Sequence, residues 1–304
     1  MEIGIGLDTG GTIDAVVARA HELAGLGVSS LWASQIFGWD TLTALAIVGR
    51  EVEGVTLGTA VIPAQPRHPV MLAAQALTVQ AACGGRLELG IGLSHQVVIE
   101  NVFGLSWERP VRYMREYLSI LVPLLRGEQV SFQGELLRAN TFGPLEIPDV
   151  EPPPVLVAAL GAQMLQVTAE LAAGTVTWMT GPATLADHIV PTLTREAERA
   201  GTPPPRVVVH LPVCVTADPD GARARAAKTF AVYGQLPSYR AMLDREGASG
   251  PPDLAIVGDE ESVAAEIQRV AQAGATEFSA IVFGDQAERN RTFQFVSTLA
   301  RAES

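Results

Sequence analysis

The alternation of two patterns constrains this chain more than any other feature. Short β-branched runs are followed repeatedly by longer stretches with helical periodicity. That rhythm predicts parallel strands joined by crossover helices. Ile3 to Leu7 reads as the first strand, and Ile13, Val16, Val17, Ala20 and Leu23 then share a helical face that ends at Gly25 and Gly27. Ser30 to Ala33 is a second strand, and Asp40 suits the N-cap of the helix carrying Leu42, Leu45 and Val48. Val55 to Ile62 is a third, followed by a helix that opens at Pro69 and stops at Gly84-Gly85. Leu87, Leu89 and Ile91 alternate in a fourth.

Pro110 opens the next helix, with Tyr113, Tyr117, Leu121 and Leu124 on one face. Val130 to Ala139 reads as a small hairpin, followed by a proline-rich stretch ending in Pro152-Pro153-Pro154. The strand–helix rhythm then resumes, so this segment is an insertion and not a domain boundary. Val155 to Ala159, Val176 to Thr180, the alternating Val207 to Val213, and Phe278 to Phe283 complete a count of eight strands. Leu254 to Val257 reads as a short extended lead-in to the helix Glu260 to Ala273, and Gln286 to Leu299 is the closing helix. The expectation is an α/β fold: one (β/α)8 TIM barrel over residues 1–304, with a hairpin-containing insertion after strand four. Barrels of this kind commonly run to about 250 residues or more.

Composition narrows the function classes. The formal net charge is −12, and no Lys/Arg stripe is present to neutralise a nucleic-acid backbone. No apolar run reaches the length of a membrane helix, and Met1-Glu2-Ile3-Gly4 carries no secretory n-region. A cytoplasmic protein is expected, with no nucleic-acid or membrane partner. Cys83 and Cys214 are far apart, lack metal-ligand spacing, and read as reduced and buried. Lys228 is the only lysine and falls in a surface-type helix, which argues against lysine-based covalent chemistry.

Five motifs punctuate the strand ends. Gly6-Leu7-Asp8-Thr9-Gly10-Gly11-Thr12 resembles the first phosphate loop of the sugar kinase and hydantoinase superfamily. The helical periodicity that follows instead favours a βα loop with Thr12 as N-cap. Leu87 to His95 is a strand ending in Gly90 and Gly92, then Ser94 and His95. The glycines would let a planar ring approach, with the two polar groups beside it; a packing glycine pair with a solvated histidine is the plainer reading. Gly58 to Pro63 needs special backbone geometry at its tip, and His68 reads as a cap for the Pro69 helix. Ala158 to Met164 passes from strand to helix through Gly161, and free helix amides there attract an anion. In Trp178-Met179-Thr180-Gly181-Pro182, Thr180 and Gly181 would complete the same phosphate pocket from the next loop, although the usual barrel phosphate site follows strands seven and eight; an ordinary βα loop is the plainer reading of each motif.

Together these motifs resemble the luciferase-like monooxygenase superfamily, in particular its coenzyme F420 (deazaflavin)-dependent oxidoreductase branch. The resemblance rests on Leu57 to Pro63 with Arg67-His68-Pro69, on Arg86 to Gly92, and on the Gly161 loop, and it spans nearly the whole chain. It implies a barrel, commonly a homodimer, with a tricyclic cofactor at its C-terminal mouth. It also implies a non-prolyl cis peptide at Ala60–Val61 that props up the ring. By resemblance Leu160, Gly161, Ala162 and Gln163 form the phosphate loop, with Thr180 and Gly181 beside it, and Ser94 and His95 lie beside the ring. Two departures matter. Many members carry Lys or Arg where this chain has Gln163, which leaves the phosphate to backbone amides. Well-known members place a carboxylate or His at the tip of strand two, where this chain has Gln35, which hydrogen-bonds but cannot transfer a proton.

The function expected from the resemblance is hydride transfer between F420 and a small organic substrate. His95 is the candidate proton donor or acceptor, and Gln35 and Trp178 shape the substrate side. The alternatives are an FMN-dependent monooxygenase on the same fold, a metal-dependent kinase or hydantoinase-like ATP-binding protein built on Asp8 to Thr12, and a non-catalytic cofactor-binding barrel. No metal site is expected under the first reading.

Overall fold

The structure is a computed structural model and describes residues 1–147 and 149–303. Eight parallel strands close into a barrel: β1 (Glu2–Gly6), β2 (Ser30–Ala33), β3 (Thr56–Thr59), β4 (Leu87–Gly92), β5 (Val155–Val157), β6 (Gly174–Trp178), β7 (Arg206–Val215) and β8 (Glu277–Val282). Each strand pairs with its sequence neighbour, and β8 pairs with β1 to complete the ring. The expected barrel is the observed one.

The strand sequences explain the two-sided burial. Leu87, Leu89 and Ile91 of β4 join the large core between barrel and helices. The alternate residues serve the lumen, where Trp32, Leu156, Val176 and Val208 form a separate cluster. The N-terminal end of the lumen is polar. Arg206 bridges Glu88 (2.5 Å) and Glu277 (2.8 Å), and Glu277 Oε1 accepts from Trp32 Nε1 (2.7 Å) and from Ser30 Oγ. Breaking such a buried pair on one side typically costs about 3–5 kcal/mol.

The first three helices begin where a polar side chain caps them. Thr12 accepts from Ala15 N at the start of α1 (Ile13–Ala24), and Asp40 from Thr43 N at the start of α2 (Thr41–Glu51). His68 caps α3 (Pro69–Ala82) through Nδ1 while Nε2 reaches the Arg138 carbonyl (3.1 Å), as its capping role predicts. Such a cap contributes about 1 kcal/mol. Both cysteines are free and buried.

Three expectations change. Leu254–Val257 is not a plain lead-in: Ile256–Gly258 is a ninth parallel strand on the upper part of β7. It takes the edge that β6 leaves open by ending at Trp178, where Met179 enters the left-handed region (φ 51°). Strand three does not run unbroken from Val55 to Ile62. It stops at Thr59, and Ile62–Pro63 re-pairs with β4. The Asp8 loop is a βα loop leading into α1 within a parallel barrel, which removes the hairpin setting that a kinase-type phosphate loop needs. Among the described residues no His/Cys/Asp/Glu group could hold a metal.

The insertion lies between β4 and β5, and its hairpin pairs Ser131–Gln133 with Arg138–Asn140. Glu116, on the helix Pro110–Leu125, accepts from the amides of Glu135, Leu136 and Leu137 and pairs with Arg112. Burial opposes ionisation of Glu116, but Arg112 and those amides prevail and hold its pKa at about 2. No helix among the described residues is long and apolar enough to cross a membrane.

Candidate active site

The break in strand three is the centre of the mouth. The Ala60–Val61 peptide is cis and non-prolyl. Ala60 N donates to Ala33 O (2.8 Å), and Ser34 Oγ donates to Ala60 O (2.7 Å). On the other side Thr59 Oγ1 donates to Gly90 O (2.7 Å). The tip is therefore clamped by β2 and β4, and such hydrogen bonds contribute about 1 kcal/mol each. Ala60 and Val61 pack against the lumen cluster, so the tip roofs the barrel interior.

This geometry corrects the role given to two glycines. Gly90 and Gly92 do not open β4 to a planar ligand; they admit the β3 tip. A Cβ on Gly90 would lie 1.8 Å from Thr59 O, and one on Gly92 would lie 2.7 Å from Val61 Cγ2. The plainer reading of a packing pair was nearer for the glycines.

Ser94 and His95 follow directly. Ser94 has φ 61°, which turns the chain sharply out of β4. His95 is half-buried at the start of the helix Gln96–Asn101, and its ring makes no capping hydrogen bond. Burial lowers its pKa below the ordinary 6.5. Its imidazole sits 5.7 Å from the Tyr239 ring. From there a row of ring contacts runs through Tyr233 (5.3 Å), Trp178 (5.5 Å), Phe230 (5.7 Å) and Phe283 (5.6 Å). The row links the ends of β4, β6 and β8 through the segment after β7. Sequence reading missed Tyr233 and Tyr239, because their segment shows no motif and reaches the mouth only through the fold.

Gln35 lies at the expected strand-two tip, but its amide serves its own loop. Nε2 donates to Ile36 O (3.1 Å) and Trp39 O (3.3 Å), and Oε1 accepts from Thr41 N (2.8 Å). Ile36 and Phe37 are left largely exposed on that loop.

On the β5 side, Leu160 is half-buried and Gly161, Ala162 and Gln163 are exposed. Gly161 is the N-cap of the helix Ala162–Leu171, without a side-chain cap, and nothing lies within 4 Å of where its Cβ would be. The next loop differs. Thr180 and Gly181 are buried, and Thr180 Oγ1 donates to Trp178 O (3.2 Å). The amides of Ala183 and Thr184 are already taken by the two carboxylate oxygens of Glu246 (3.0 and 2.7 Å). Glu246 thus occupies the helix end that the sequence offered to a phosphate.

A parallel barrel whose C-terminal mouth carries a roofed lumen, a free imidazole and an open helix N-terminus belongs to the class of barrels that work through their βα loops. Comparison with known proteins makes the assignment specific. The luciferase-like monooxygenase family model matches residues 1–277, and the chain belongs to that family. The 5,10-methylenetetrahydromethanopterin reductase of Archaeoglobus fulgidus is 31% identical over 221 residues, 69% of this chain and 62% of the reductase. The F420-dependent tetrahydromethanopterin reductase of Methanopyrus kandleri superposes with a TM-score of 0.83 at 18% identity, covering 99% of each chain. The oxygenating constituent of 3,6-diketocamphane monooxygenase from Pseudomonas putida, in complex with FMN, superposes with a TM-score of 0.77 at 16% identity, covering 99% of this chain and 97% of that one. At these identities the superpositions establish the fold.

Proposed function

We propose that the protein is an F420-dependent oxidoreductase that moves a hydride between the deazaflavin and a small organic substrate. The observation that carries this reading is a strand tip at Ala60–Val61, clamped by hydrogen bonds, on the same mouth as the uncapped helix at Gly161. The residues fit such a cofactor. The space beyond Gly161 is open, and the first-turn amides of Ala162, Gln163 and Met164 suit an anion. Gln163 adds no charge, so the amides and the helix dipole would do the holding. Thr180 and Gly181 would border this site, since Glu246 fills the adjoining helix end.

F420, when bound, supplies the hydride-carrying ring. Ala60 and Val61 would back one ring face, with Ser94 and Leu160 at its edges. His95 would hold or accept the substrate-side proton on its free imidazole. Trp178 and the rings around it would exclude water, and Gln35 would act by fixing the loop that carries Ile36 and Phe37. In this reading residues 1–304 work as one barrel, as a homodimer in the cytoplasm.

The FMN-bound neighbour and the family's description favour a second reading, an FMN-dependent monooxygenase. Titration of the protein with F420 and, separately, FMN tests both, with quenching of the protein's tryptophan fluorescence, to which Trp178 at the mouth contributes, as the signal. Tight F420 and weak FMN binding are expected. The opposite preference, with cofactor-dependent oxygen uptake, would replace the first reading by the second. Binding of neither would remove both.

A further inference from the structure

We infer that His188 is a positioning residue for the cofactor phosphate, an inference that rests on the phosphate site proposed above at Gly161. The helix after β6 does not run as a plain α-helix. Between Leu185 and Ile189 it makes a π turn, and Val190 N bonds to Leu185 O. Such a turn inserts an extra residue into the helical face and recurs at functional sites. Here the turn contains His188, whose side chain is buried.

His188 Nε2 lies 2.8 Å from the carbonyl oxygen of Leu160. A carbonyl only accepts, so Nε2 carries the hydrogen and donates. Leu160 is the residue before Gly161. Among the described residues, His188 makes the one side-chain hydrogen bond to residues 160–163. The glycine has no side chain of its own to fix the loop, and its Cβ direction is empty. On the helix side Leu165 N donates to Gly161 O (2.9 Å), so the loop's orientation depends further on what holds the residues before the glycine. Thr175 Oγ1, which donates to Val157 O (2.8 Å), accepts from Ala159 N (3.4 Å) on the strand side, and His188 holds Leu160 O just before the turn.

The consequence is energetic. Amides already fixed toward an anion bind it without first losing conformational freedom, whereas a loose loop must be ordered on binding. His188 never touches the phosphate; it keeps the amides of Ala162 and Gln163 aimed.

The test titrates wild type, His188→Ala and His188→Gln with F420 and with FMN, since both carry a phosphate, and measures the Tm of each protein without cofactor. His188→Ala is expected to weaken binding of whichever cofactor the wild type takes by about tenfold. His188→Gln, which retains an N–H donor, is expected to restore most of that affinity. At saturating cofactor, kcat should stay near the wild-type value. Wild-type affinity in His188→Ala would overturn the inference, as would a loss that His188→Gln does not reverse. If His188→Ala does not fold, His188→Gln decides: a tenfold loss there counts against the inference. Wild type binding neither cofactor would overturn the phosphate site and this role with it. Wild type binding with an unaffected His188→Ala would overturn this role alone.

Discussion

The carbonyl oxygen of Thr59 occupies the place where residue 90 would carry its β-carbon, 1.8 Å from the ideal position. The tip of β3 and the body of β4 approach so closely that only glycine fits between them. Because the obstructing atom is backbone, no side-chain rotation relieves the contact. Gly90→Ala is expected to destabilise the protein by about 3 kcal/mol or more. Gly92→Ala should cost less, since it meets the Val61 and Ala158 side chains. Urea unfolding of the two variants checks this, and wild-type stability for Gly90→Ala would count against the described packing.

His95 has a half-buried ring with no capping bond, at the mouth and beside Tyr239. His95→Ala is expected to cut turnover about a hundredfold or more while leaving cofactor affinity within about twofold. Burial favours the neutral imidazole, so a limb of the pH–rate profile owed to His95 should lie below pH 6.5. Unchanged kcat in the variant, or a wild-type limb that survives the substitution, would remove His95 from the proton transfer.

His210 lies inside the barrel, its ring edge-on to Trp32 at 5.3 Å, and its Nε2 has no hydrogen-bond partner among the described residues. Burial lowers its pKa from 6.5 to about 3. Between those values the unfolded chain binds a proton that the folded chain refuses, so stability falls as pH drops from 6.5 toward 3. From pH 7 to pH 5 this amounts to about 2 kcal/mol. His210→Leu should lose that part of the acid sensitivity. Urea midpoints at the two pH values, compared between wild type and variant, decide it; equal pH dependence would show that His210 does not titrate on unfolding.

Much of the site was legible at the level of strand ends. Ser94, His95 and Gly161 could be named because each follows a readable strand, and barrel chemistry gathers on such loops; the Ala60–Val61 bond came only from the family resemblance. The Glu246 carboxylate could not be foreseen at Gly181, because 65 positions separate them and no pattern links them. The same holds for His188 and Leu160, which a π turn brings together. Gln35 could be located but not interpreted, since its hydrogen bonds depend on how its loop folds back.

The sequence alone determined the barrel. Hydrophobic periodicity and capping residues act within a few residues of each other, and they specify the eight barrel strands, most of the helices and their order. The tertiary structure decided which polar groups remain free at the mouth. Whether Gln35, Thr180 or the amides after Gly181 are available depends on what the rest of the chain places beside them. A hydrogen-bonding group used by a distant carboxylate or carbonyl is no longer available to a ligand, and the chain's own closure settles that competition.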